Sequence, residues 1–280
     1  MAGIAWVNGR LLAPEEPAIS PLDGGFMYGE GLFETMRAYG GTVFRLEQHM
    51  ERLLVMSAEL SLTPPTADKL AEAVGETLRA SSLADAMVRL TVTPGPAGSP
   101  EPTVVVLVRP LSLPPRQLYE SGCLAVSVPV AHTPDSPLRR LKSLNYLDKL
   151  LAQRTAARRD RHEAILVDVD GCVIEGAMRN IFAVFDGELV TPPLSRAFLP
   201  GITRATVMAI AQREGIAHRE RDVPLTELYT ADEAFLTSSV AEIIPIRAVD
   251  GHALGEAPGL ITRRVTRVYA DLVAHEVGAV

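Results

Sequence analysis

Two stretches in the second half of the chain constrain its fold most: EAILVDVDGCVIEG (163–176) and NIFAVFDGELVTP (180–192), apolar runs each broken by Asp-Gly. Asp-Gly between β-branched and aromatic residues is a tight-turn signal, so each stretch reads as a pair of successive strands. LAVSVPVA, EAFLTS and EIIPIRAVDG supply further strands. Helices are expected from near Asn145, over LPGITRATVMAIAQREG, and from about Gly259 to His275. This half reads as mainly antiparallel strands with helices.

The first half has a different order. WVNGRLL carries an Asn-Gly hairpin signal, GLFETMRAY is a strand turned by Gly40-Gly41, and TVFRL returns. LEQHMERLLVMSAELSL and PTADKLAEAVGETLRA have apolar residues at helical spacing, and AMVRLTVT and TVVVLVRPL are strands. LSLPPRQLYESG has the composition of a linker. The expected organisation is a mixed αβ (α+β) fold: a smaller N-terminal domain over 1–115, a linker over 116–122 and a larger domain over 123–280.

Composition narrows the function. A net charge of −7, with 47% hydrophobic and 22% charged residues, is that of an ordinary globular protein and argues against partnership with nucleic acid or an anionic membrane. No apolar run nears the length of a membrane span, no export signal is read at the N-terminus, and two cysteines suit a reducing compartment, so a cytoplasmic location is expected. The six histidines are scattered without ligand spacing, and no metal site is expected.

Lysine is scarce: of 27 basic residues only Lys69, Lys142 and Lys149 are lysines. A lysine can lose its proton and attack a carbonyl, whereas arginine cannot. Lys69 and Lys149 fall at helical positions and read as solvated. Lys142 follows Arg139 and Arg140 just before a helix, where neighbouring positive charge favours the neutral amine. Gly-Ile-Thr (201–203) opens a helix whose free N–H groups suit a phosphate, and TSSVAE (237–242) brings hydroxyls after a strand. Glu175, at the end of an apolar strand, requires a partner. An imine-forming lysine, a buried acid and phosphate anchors are the parts of a pyridoxal-phosphate enzyme.

Six motifs in order carry a resemblance over nearly the whole chain: SPLDGGFMYGEGLFETMRAY (20–39), FRLEQHMERL (44–53), LKSLNYLDKLLA (141–152), HEAILVDVDGCVIEGAMRNIF (162–182), LPGITR (199–204) and DEAFLTSSVAEIIPI (232–246). The chain resembles the class IV pyridoxal-phosphate aminotransferases (fold type IV, the D-amino-acid aminotransferase-like fold), a family of branched-chain aminotransferases, D-amino-acid aminotransferases and aminodeoxychorismate lyases. The resemblance implies pyridoxal 5'-phosphate bound mainly by the larger domain. It makes Lys142 the lysine joined to the cofactor and Tyr146 the partner of its phenolic oxygen. Glu175 becomes the acid facing the ring nitrogen, and Arg52, Ile202, Thr203, Ser238 and Ser239 the phosphate contacts. Tyr28, Phe33, Arg37 and Arg89 are the implied substrate contacts, with Thr35 a catalytic residue. Arg179 departs from the family, which usually has a small polar residue there. A homodimer with sites completed across subunits is also implied, and the apolar FMYGEGLF segment (26–33) suits an interface.

Within the family, Thr35 resembles the lyases, where branched-chain enzymes usually have Gly and D-amino-acid enzymes Val. Pro94 replaces the arginine of the D-amino-acid enzymes' Val-Thr-Arg-Gly strand. The leading expectation is therefore 4-amino-4-deoxychorismate lyase, which expels pyruvate from a small amine substrate to leave 4-aminobenzoate. The alternative is a class IV transaminase of branched-chain L-amino acids or of D-amino acids, and a remote one a non-catalytic cofactor-binding paralogue.

Overall fold

The structure is a computed structural model and describes residues 3–16, 19–131 and 137–278. The chain forms two compact units. The first comprises the described residues up to Ser112, the segment Leu141–Asn145 and the residues from Val273 onward; the second comprises the described residues of Leu113–Arg140 and Tyr146–Leu272.

The sheet of the first unit runs Arg10–Leu12, Ile4–Val7, Thr103–Pro110, Ala86–Thr93, Leu32–Tyr39, Thr42–Val43, every neighbour antiparallel. Asn8 (φ 42°) and Gly9 (φ 90°) make the first hairpin turn with both residues left-handed, the conformation the Asn-Gly pair predicts. Alternation along the strands divides the sheet faces. Leu32, Glu34, Met36 and Ala38, with Val88, Leu90, Val106 and Val108, are buried on the face that receives helices Leu46–Glu59 and Ala67–Ser81. The opposite face carries Phe33, Thr35, Arg37 and, directly across from Thr35, Arg89. The return expected of TVFRL is shorter than read, because the helix begins at Leu46.

In the second unit a mixed sheet has the order His218–Glu220, Glu188–Thr191, Asn180–Phe185, Glu233–Ser238, Glu242–Val249, Cys123–Pro129, Glu163–Val167, Val173–Gly176, with His252–Ala253 paired to Glu242–Val249. Three pairings are parallel: Glu188–Thr191 with His218–Glu220, and Cys123–Pro129 with both Glu242–Val249 and Glu163–Val167. The remaining pairings are antiparallel, among them both Asp-Gly hairpins. Its helices include Leu147–Arg158, Ile202–Arg213 and Leu260–Glu276. Ile165, Val173, Ile181, Leu236, Ile244 and Ile246 belong to one buried cluster of its core.

Three further features differ from the sequence reading. Leu141–Asn145, which carries Lys142 and was expected in the larger domain, groups with the first unit. Arg116–Ser121, within the stretch expected as a linker, is a helix: Pro115 starts it and Gly122, at φ 75°, ends it, so proline and glycine here punctuate a helix. The last turn of the terminal helix, from Val273, groups with the first unit, where Glu276 pairs with Arg45 at 2.7 Å. Among the described residues, no helix is long and apolar enough to cross a membrane.

Candidate functional site

In the first unit, Lys142 sits on a segment that adds to the start of the strand Leu32–Tyr39. Phe33 N–H donates to the Lys142 carbonyl at 2.9 Å, Leu144 N–H donates to Gly31 O at 3.0 Å, and Leu32 bridges Ser143. This fixes the backbone of Lys142, and its Nζ lies 4.7 Å from the centre of the Phe33 ring. The Arg89 guanidinium lies 3.7 Å from the centre of the same ring, and Arg37 stacks 4.3 Å from that of Tyr39. Phe33, Thr35, Arg37 and Arg89, all expected at the substrate, therefore share one sheet face, a cationic surface suited to a carboxylate. Tyr28 ends the short helix Gly24–Tyr28 and is exposed. That helix is anchored by buried Asp23, which accepts from Gly25 N–H at 2.7 Å, Thr93 Oγ1 at 2.9 Å and Thr103 Oγ1 at 2.6 Å. The DGGF wording of the motif thus has a structural cause.

Behind this face lies a buried charge cluster that sequence reasoning did not anticipate. Glu34 accepts from Arg52 Nε at 2.8 Å and Nη2 at 2.5 Å, and its Oε2 is 2.7 Å from His49 Nδ1. Burial pushes the Glu34 carboxyl up, but the Arg52 charge and the His49 bond outweigh it and hold the pKa down to about 2. His49 is held below its ordinary value by burial, with the charges of Arg52 and Lys142 acting in the same direction against Glu34. His49 is thus neutral near pH 7 and donates Nδ1–H to Glu34. Arg52, expected at a phosphate, is held rigid by this bidentate bond.

In the second unit, Tyr146 immediately precedes the helix Leu147–Arg158. The buried residues of that helix are Lys149, Ala152 and Ala156, one stripe at helical spacing, while Leu147, Leu150 and Leu151 face outward. Lys149, read from sequence as solvated, is therefore corrected to a core position. Its Nζ lies 2.6 Å from Glu175 Oε1 and 5.1 Å from the centre of the Tyr146 ring. Burial works against its charge, but Glu175, Tyr146 and Asp148 outweigh burial and raise its pKa above the usual lysine range. The scarcity of lysine was the available signal, and the surrounding leucines obscured it. Arg179 also acquires a cause: it pairs with Glu163, 1% exposed, which also accepts from Ala177 N–H at 3.1 Å.

The phosphate candidates lie in the same unit. Helix Ile202–Arg213 starts after Gly201 with no side-chain cap, leaving the first N–H groups, at Ile202 and buried Thr203, to another acceptor. Asn180 Nδ2 donates to Leu199 O at 3.1 Å, and a Cβ at Gly201 would meet Asn180 Oδ1 at 1.9 Å, so only glycine fits the entry to this helix. Asn180 is directly opposite Thr237 in the sheet, beside Ser238 and Ser239. Thr237 Oγ1 is buried without a hydrogen-bond partner among the described residues, and Ser238 Oγ accepts from Ala241 N–H at 3.3 Å. An uncapped helix start, hydroxyls, a tyrosine and a buried carboxylate make up a donor set that fits a phosphorylated pyridine.

Comparison with known proteins agrees with this chemistry. The model of the family described as amino-transferase class IV matches residues 31–249. The chain is 38% identical to a putative branched-chain-amino-acid aminotransferase of Methanocaldococcus jannaschii, over 95% of each chain. It is 30% identical to a D-alanine aminotransferase of Bacillus licheniformis, over 96% of each. The crystal structure of the Escherichia coli branched-chain amino acid aminotransferase superposes with a TM-score of 0.91 at 31% identity, covering 98% of this chain and 95% of that one.

Proposed function

The chain belongs to the amino-transferase class IV family, whose enzymes depend on pyridoxal phosphate, and from that premise we propose that it is a transaminase moving an amino group between an amino acid and a 2-oxo acid. The observation that carries the reading is the pairing of chemistry-bearing groups with supports: Lys142 fixed by its backbone beside Phe33, and Glu175 buried against a cation. Pyridoxal phosphate, when bound, supplies an aldehyde for the amino group and an electron-poor ring that draws electrons from the amine-bearing carbon. Lys142 Nζ would be the base that takes the proton from that carbon and delivers it to the carbon that carried the cofactor's aldehyde. Glu175 holds a proton on the ring nitrogen, and Tyr146 donates to the phenolic oxygen. The N–H groups of Ile202 and Thr203, the hydroxyls of Ser238 and Ser239, and Arg52 bind phosphate. Arg89 and Arg37 hold the substrate carboxylate, and Thr35 faces the substrate beside them.

Transamination, rather than the elimination that the sequence placed first, is the better supported outcome, because the similar proteins above are named as branched-chain and D-alanine aminotransferases. Branched-chain amino acids are the favoured substrates: the more similar relative carries that name, and Pro94 stands where D-amino-acid enzymes have arginine. Thr35 remains the observation on the side of a 4-amino-4-deoxychorismate lyase. Product analysis decides between them. The holoenzyme is given L-leucine, L-valine or D-alanine with a 2-oxo acid, and separately 4-amino-4-deoxychorismate. Amino transfer from the branched-chain donors is expected; release of 4-aminobenzoate would refute the reading.

A cytoplasmic homodimer completes the proposal. Phe26 and Tyr28 are 76% and 71% exposed, and Leu147, Leu150 and Leu151 are turned outward, apolar surface of the kind that marks an interface. Cys123 and Cys172 are unpaired, as suits a reducing compartment. Sedimentation should give a species twice the 30.1 kDa chain mass; a fully active monomer would refute the dimer.

A further inference from the structure

We infer that Lys149 is the positioning residue for Glu175, holding one carboxylate oxygen so that the other is kept for the cofactor ring nitrogen. The inference rests on the pyridoxal-phosphate reading above and adds a residue to it. Lys149 Nζ lies 2.6 Å from Oε1, while no hydrogen bond reaches Oε2 from any described residue. Both side chains are deeply buried, at 11% and 5% exposure. Lys149 shares its stripe with Ala152 and Ala156, whose neighbours in the core are Ala164, Leu166 and Ile174. A well-packed apolar residue would suit such a stripe, and a buried ion pair adds little net stability over apolar packing. The pair is better explained by what Glu175 must do. An acid that is to hold a proton on a ring nitrogen must have its buried charge partnered and its other oxygen aimed.

A cation at Oε1 meets both needs, and its removal should act unequally on the empty and loaded protein. Without cofactor, Lys149 is the only partner of the Glu175 carboxylate among the described residues; with cofactor, the protonated ring nitrogen becomes a second. Removing Lys149 therefore strands the carboxylate in the empty protein and leaves it partnered in the loaded one. A purely structural lysine would affect both forms equally.

The test measures thermal unfolding midpoints with and without saturating pyridoxal phosphate for the wild type, Lys149→Met, Lys149→Arg and the double variant Lys149→Met/Glu175→Gln. For Lys149→Met the midpoint without cofactor should fall by roughly 5–15 °C. With cofactor it should fall by less than half as much. Lys149→Arg should restore both values, and in the double variant the two shifts should be equal, the stranded charge being gone. A Lys149→Met protein that accumulates only with cofactor counts as the same result. Equal shifts in the two forms of Lys149→Met, or no shift, would overturn the inference. A wild type that neither gains stability from pyridoxal phosphate nor shows its visible absorbance would overturn the cofactor reading itself, and is recognised before any variant is compared.

Discussion

Replacing Glu34 with Gln keeps its shape and removes the charge that Arg52 and His49 surround. Glu34 is fully buried, with its pKa lowered from 4.5 to about 2. By linkage, ionisation of this side chain contributes about 3 kcal/mol to stability at pH 7, and Glu34→Gln should lose about that amount. Because the folded value lies below the unfolded one, the contribution is complete above the unfolded pKa and is lost as pH falls toward the folded one. At pH 3 only about 1 kcal/mol should separate the two proteins. His49 is replaced by Asn in both proteins, since Glu34 raises its pKa against burial and its protonation would otherwise weigh on wild type and variant unequally as pH falls. The assay is urea unfolding of both proteins at pH 7 and pH 3. A difference that is the same at both pH values, or under about 1 kcal/mol at pH 7, would refute the cluster's assigned charge states.

Two further changes test neighbouring features. Lys142→Ala should abolish turnover and the cofactor linkage that borohydride fixes, with circular dichroism unchanged; a reducible linkage in the variant would remove Lys142 from its role. Arg179→Met should destabilise the fold by about 3 kcal/mol by stranding Glu163, and Glu163→Gln in the same chain should recover most of the loss on urea unfolding.

The fold was largely legible because its punctuation is local. Asn8-Gly9 and Asp186-Gly187 take positive φ at both residues, and the hairpins they close appear where the sequence puts them. The apolar strand that carries Glu175 and the helix that starts after Gly201 likewise appear where the sequence puts them. The supports of the site were not legible, since they depend on which helix face turns inward. In LDKLLAQRTAAR the leucines face out and Lys149 faces in, the reverse of the ordinary reading of helical periodicity. The long-range pairs Glu34–Arg52 and Glu163–Arg179 join residues 18 and 16 positions apart, which no local pattern reports. Arg179 looked like a departure because its partner is supplied by the fold.

The central claim is that this chain transfers amino groups, and a reaction run without an acceptor tests it most directly. Holoenzyme mixed with excess L-leucine alone should release one equivalent of 2-oxo acid per chain and then stop, because the amino group stays with the cofactor. Addition of a second 2-oxo acid should restart the release and form its amino acid in equal amount. Absence of the first equivalent, together with continuous release of pyruvate from 4-amino-4-deoxychorismate with no acceptor present, would contradict the account.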